Sequence, residues 1–181
     1  MIATLQNKSI VVIGGTSGLG LSAAKAFVAA GAQVVVVGKN PEKVVSARQE
    51  IGARGLVLRA DATDPDSAVA AIQVAIKNFG GFDGLYHVAG GSGRSMGDGA
   101  LHEITDDGWQ HTLQQNLTSL FYSNRAAVQQ FLQQKSGGSI LNMTSVLGFA
   151  PSAHYFGTHA YASAKAATSC PGSVASYVSI L

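Results

Sequence analysis

Cysteine, proline and charge are all scarce in this chain. Its 181 residues include one cysteine, Cys170, and four prolines. A lone cysteine excludes an intrachain disulfide and any zinc site built on a cysteine pair. The five histidines, His87, His102, His111, His154 and His159, show no metal-ligand spacing, so no metal is expected. Charged residues make up only 12% of the chain, and the formal charge is +2. With no basic run, neither nucleic acid nor an anionic membrane surface is an expected partner. The apolar stretches are broken by Gly, Gln or Lys well short of a membrane span. Residues Met1–Lys8 lack the long apolar core of a signal peptide. A reducing cytoplasm is the expected compartment.

Apolar residues, by contrast, reach 46%, and there are 22 glycines. Short β-branched runs at Ile10–Ile13, Val34–Val37, Leu56–Leu58, Gly84–Val88 and Ser139–Met143 read as strands. Apolar throughout, they suit parallel strands covered on both faces. Helical patterns lie between them. Gly18 to Ala30 is Ala-rich and ends at Gly31, a suitable C-cap. Asn40-Pro41 and Asp64-Pro65 each read as an N-cap followed by proline at the first helical position. Val69, Ile72, Ile76 and Phe79 then fall on one helical face, and Leu117, Leu120, Phe121, Val128, Phe131 and Leu132 form the stripe of a longer helix. The β-α alternation predicts an α/β fold, a Rossmann-type doubly wound parallel sheet, as a single domain over 1–181. The most loop-like stretch, Gly90–Gly99, follows the fourth strand, at the sheet edge where such folds bind ligands.

Two local patterns carry chemistry. Gly14-Gly15-Thr16-Ser17-Gly18-Leu19-Gly20 follows the first strand directly. Gly14 suits a tight turn, while Gly18 and Gly20 let backbone approach a pyrophosphate and let the helix pack on the sheet. Free N–H groups at the helix start attract the phosphates. No Gly-Lys-Ser/Thr follows, so this is not a Walker loop. The second strand ends in Gly38-Lys39-Asn40, where NAD sites usually carry an acid for the ribose hydroxyls. A missing acid beside a cation points to a 2′-phosphate, hence NADP(H) in preference, with NAD(H) as the alternative. The other pattern is Tyr161-Ala162-Ser163-Ala164-Lys165. Positions i and i+4 share a helix face, so Lys165 can sit beside Tyr161, stabilise its phenolate and hold the cofactor ribose. Ser145 follows the last strand and so reaches the same sheet edge, where its hydroxyl can bind a substrate oxygen.

Taken in order, these motifs resemble the short-chain dehydrogenase/reductase family from approximately Lys8 to Ala167. The glycine turn is similar to the family's Thr-Gly-x-x-x-Gly-x-Gly, with Ile13 in place of Thr. Asp61, followed by Ala62, matches the acid after the third strand that contacts adenine. His87-Val88-Ala89-Gly90 matches Asn-Asn-Ala-Gly with both asparagines replaced. The resemblance implies that Asn116 holds a relay water, that Ser145 orients the substrate oxygen, and that Tyr161 is the acid in reduction and the base in oxidation. The implied substrate is a small carbonyl or alcohol. A homo-oligomer through the 116–135 and 159–170 helices is a further expectation.

After Ala167 the pattern departs from the family. Pro171 is expected to end the catalytic helix early, and 168–181 reads as an atypical tail in a domain that lacks its last strand or strands. The sheet edge beyond Ser139–Met143 is then expected to stand exposed and the chain to be poorly stable. Two other readings fit the same residues: a nucleotide-binding or regulatory protein without turnover, and an inactive fragment.

Overall fold

The computed structural model describes residues 4–150, 152 and 154–169. Five parallel strands, β1 (Ser9–Ile13), β2 (Gln33–Gly38), β3 (Gly55–Arg59), β4 (Gly84–His87) and β5 (Ser139–Asn142), form one sheet in the order β3-β2-β1-β4-β5. Each expected strand is present, with no end shifted by more than one residue. The helices are α1 (Gly18–Ala29), α2 (Pro41–Ile51), α3 (Pro65–Phe79), α4 (Asp106–Leu113), α5 (Ser119–Gln134) and α6 (His159–Thr168). A π-helical turn, Gln114–Thr118, joins α4 to α5. The expectations for Cys170, Pro171 and the tail lie outside the described residues.

Alternate strand residues serve two cores. Val11, Ile13, Val35, Val37 and Leu85 pack with Ile72 and Phe131 on one face. Ile10, Val12, Val34, Val36 and Tyr86 pack with Ala24, Val44 and Ala47 on the other. This two-sided burial is why β1 and β2 are apolar at successive positions. The helix ends follow local chemistry. Asn40 Oδ1 accepts from Lys43 N at 2.9 Å, and Asp64 Oδ1 from Asp66 N at 2.9 Å. At the end of α1, Ala30 is the C-cap and Gly31, at φ +97°, is the residue after it. Gly31 N donates to Val28 O and Ala32 N to Phe27 O, the two bonds of a Schellman motif.

Two expected apolar faces are placed differently. In α3 the buried face is Ala68, Ala71, Ile72 and Ala75, while Val69 is exposed. In α5 Leu120 and Phe131 point inward with Ser123 and Ala127, whereas Phe121 and Leu132 face outward. The small residues win the interior places because α3 and α5 pack closely against the sheet and each other, and a larger side chain there would overfill the gap.

The chain turns from the β1–β2–β3 half of the sheet to the β4–β5 half between β1 and β4. That switch point opens a crevice at the C-terminal strand ends, the binding place in open α/β sheets. Among the described residues, no helix is long and apolar enough to cross a membrane.

Candidate active site

A cleft of about 540 Å³ occupies this crevice. Its walls include Gly14, Thr16, Ser17, Leu19 and Gly20 from the glycine turn, Lys39 and Asn40 after β2, Asp61 and Ala62 after β3, and Ala89 and Gly90 after β4. The residues expected at a nucleotide thus converge from four strand ends. Gly14 adopts φ +87°, and a Cβ there would lie 2.5 Å from Ala89 N, so only glycine lets β1's turn touch the β4 loop. A Cβ on Gly20 would run into Gly14 O, which is how α1 packs tightly on the turn. Gly18, at φ +54° and exposed, has nothing within 4 Å of such an atom. Ser17 stands at the N-cap of α1 without a side-chain capping bond. The first N–H groups of α1 are therefore not closed off by a cap and lie beside open space, an arrangement that fits a dinucleotide's phosphates.

The end of β2 is shaped by Thr16. Its side chain is nearly buried and fills the space where a Cβ on Gly38 would stand. Lys39 Nζ lies 3.4 Å from Asp61 Oδ2, with both side chains largely exposed. Burial works against the charge on Asp61. Hydrogen bonds from Thr63 N and Thr63 Oγ1, together with Lys39, outweigh it and hold the carboxyl below its ordinary value. An exposed pair of this kind is weak, so Lys39 remains free to turn to another anion. Lys43, from the first turn of α2, lines the same wall.

The second half of the site adjoins the cleft at Gly90. A Cβ on Gly90 would lie 2.5 Å from Asn116 Oδ1 and 3.7 Å from Lys165 Nζ. Lys165 is 3% exposed and donates from Nζ to Met143 O at 2.8 Å. Its ammonium is 5.7 Å from the Tyr161 ring centroid, and burial lowers its pKa. Tyr161 is half-buried, one turn earlier on α6. Ser145 caps the short turn Val146–Gly148, its Oγ accepting from Leu147 N at 3.3 Å, which leaves the hydroxyl proton available to a substrate oxygen. Gly148 packs backbone to backbone on Lys165 and Ala166, so the Ser145 turn is pressed against α6.

Asn116 sits in the π-turn and is fully buried. Oδ1 accepts from Gly91 N at 3.0 Å, while Nδ2 donates to Gly91 O and to Thr112 O, each at 2.9 Å. Its amide is committed to holding the loop after β4, with one Oδ1 lone pair left over. Such π-turns are frequent at functional sites.

Two residues of this region escape a local reading. Asp98, in the loop after β4, is 4% exposed and reaches the first turn of α6. Among glycines in Met96-Gly97-Asp98-Gly99 it reads as an ordinary turn acid, and nothing near it in sequence names its partners. His87 shows in the sequence only as a replacement for asparagine. In the structure it is buried at the end of β4, with Nδ1 2.7 Å from Ser123 Oγ and Nε2 3.4 Å from Ser119 Oγ.

A family model described as short chain dehydrogenase matches residues 8–170. The chain is 36% identical over 171 residues to the 2,5-dichloro-2,5-cyclohexadiene-1,4-diol dehydrogenase of Sphingobium indicum, covering 92% of this chain and 65% of that protein. It is 34% identical over 151 residues to the 3beta-hydroxysteroid dehydrogenase of Mediterraneibacter gnavus, covering 82% and 53%. Among solved structures, a short-chain type dehydrogenase/reductase from Mycobacterium ulcerans superposes with a TM-score of 0.82 at 29% identity, covering 92% of this chain and 60% of that one. The chain thus spans less than two thirds of the length of these relatives.

Proposed function

Because this chain belongs to the short chain dehydrogenase family, we propose that its site interconverts a carbonyl and an alcohol with NADP(H), in preference to NAD(H). The observation that carries this reading is Lys165, buried between the ends of β4 and β5 beside the nucleotide cleft, with Tyr161 one helical turn away. When bound, the dinucleotide supplies or accepts the hydride. The Gly14–Gly20 turn and the start of α1 hold its phosphates. Lys39, released from Asp61, meets the 2′-phosphate. The Tyr161 phenol gives its proton to the carbonyl oxygen in reduction and takes it from the alcohol in oxidation. The Lys165 ammonium favours the phenolate left behind and holds the ribose. Ser145 donates its hydroxyl proton to the substrate oxygen and fixes its direction. Asn116 holds a relay water through its remaining lone pair.

The two named relatives act on ring alcohols, and a cyclic secondary alcohol or its ketone is the substrate class proposed here. Phe149, Tyr155 and Phe156, all exposed between Ser145 and Tyr161, offer an apolar surface to such a ring. We further propose that the outward face of α5 meets a second copy of the chain.

Fluorescence titration with NADPH and NADH, followed by reduction assays on cyclohex-2-enone and a 3-ketosteroid, tests the reading. A charge-assisted contact to the 2′-phosphate is worth about 1.5–3 kcal/mol, so NADPH should bind at least about tenfold tighter. Tyr161→Phe should lower kcat by about 10²–10⁴-fold while NADPH affinity holds. Equal affinity for NADH sinks the cofactor preference, and full activity in Tyr161→Phe sinks the proton-transfer role. Tight NADPH binding with no turnover would leave the nucleotide-binding reading instead.

A further inference from the structure

We infer that Asp98 is a positioning residue that sets the catalytic helix from outside it, an inference that rests on the function proposed above. Asp98 Oδ1 accepts from Ala160 N and Oδ2 from Tyr161 N, both at 3.0 Å. These are first-turn N–H groups of α6, which a helix cannot satisfy internally. The usual remedy is a side chain at the N-cap, but Thr158, in that place, makes no capping bond. The cap comes instead from 62 and 63 residues earlier in the chain. A carboxylate also suits the positive end of the helix dipole, and its burial is tolerable because both oxygens are bonded.

The geometry does more than close the helix end. Two oxygens of one planar group take adjacent N–H groups, so they fix both the rotation and the tilt of the turn that carries Tyr161. Gly99 strengthens the hold, its carbonyl accepting from His159 N at 3.3 Å and lying 2.9 Å from His159 Nδ1. The loop is itself braced. Asp98 N donates to Gly93 O at 3.0 Å and Thr105 N to Gly97 O at 3.1 Å, while Arg94 Nη2 reaches Tyr155 O at 3.3 Å. The segment after β4 is therefore a bracket between the start of α4 and the start of α6. Through it, the wall of the substrate space and the phenol that protonates the substrate move together. A displacement of about 1 Å in a reacting group can cost about 10²-fold in rate.

The test compares the chain with Asp98→Ala and Asp98→Asn. Amide hydrogen exchange at Ala160 and Tyr161 reads the cap, exchange at Val11 and Val35 reads the core, and steady-state reduction of cyclohex-2-enone and a 3-ketosteroid reads the chemistry. Asp98→Ala should exchange at least about tenfold faster at Ala160 and Tyr161 with core protection unchanged. Its kcat should fall about 10–100-fold while KM and NADPH affinity stay within about twofold. Asp98→Asn keeps one acceptor oxygen and should lie between the two. Faster exchange with kcat unchanged overturns the inference, as does a fall in kcat with exchange unchanged. Loss of core protection in Asp98→Asn assigns the residue to folding alone and also overturns it. A wild-type chain that reduces neither probe overturns the proposed function and this inference together, whereas loss confined to the variants speaks to Asp98.

Discussion

His87 lies where water cannot reach and where two serines of α5 meet its ring. Both serines already donate elsewhere, Ser123 Oγ to Leu120 O at 3.0 Å and Ser119 Oγ to Gln115 O at 2.7 Å, so each offers the ring an acceptor. Burial, and then the charge of Lys165, push the His87 pKa down from 6.5 to about 3, against a smaller opposing hydrogen bond with Ala89. Between those values the unfolded chain binds a proton that the folded chain refuses. The contribution to stability is therefore complete above about 6.5 and is lost as the pH falls toward 3, at up to about 1.4 kcal/mol per unit. His87→Asn should flatten this acid limb. Denaturant unfolding at pH 7 and pH 4.5 should show the wild type losing about 2 kcal/mol more than the variant across that interval. Equal losses would mean that His87 does not carry the dependence.

The long α4–α5 helix is interrupted by a π-turn where the Asn116 side chain takes hold of the loop after β4. In the π-turn, Asn116 spends its amide on Gly91 and Thr112. Asn116→Ala would take the partners from Gly91 N and Gly91 O, which are partly buried, and leave a hole where the amide stood, at about 1–3 kcal/mol in all. Thermal unfolding should report a Tm lower by about 5–10 °C, and an unchanged Tm would show that the loop holds itself. At this scale much was legible in the sequence. Strands such as Val34–Val37 are apolar at every position because both sheet faces are covered, and the caps at Asn40 and Asp64 are local bonds written in adjacent residues. The helix faces were harder to read, because side-chain size ranks Val69 and Phe121 as interior while close packing gives those places to Ala68 and Ser123. The glycine turn is legible because its spacing is its mechanism. Asp98 and the serines around His87 are not, because their partners come together only when the sheet is assembled.

At the scale of the whole molecule, the face of α5 turned from the sheet carries exposed apolar side chains. Phe121 and Leu132 are more than half exposed there, and the Arg125 guanidinium lies over the rings of Phe121 and Tyr122 at 4.9 and 5.5 Å. If a second copy covers this face, Phe121→Ser with Leu132→Ser should turn a sedimenting dimer into a monomer with its secondary structure intact. An unchanged sedimentation coefficient would remove α5 from the interface. The sheet itself sets a different kind of constraint, at the tip of β2. Thr16 fills the space that any side chain at position 38 would need. A carboxylate side chain there would require Thr16 to shift or to be replaced by something smaller. Positions 16 and 38 are therefore coupled, because their side chains would claim the same space. If the chain prefers NADP(H) as proposed, reversing that preference is a matter of two side chains and not one, since the floor of the glycine turn and the tip of β2 share a single small volume.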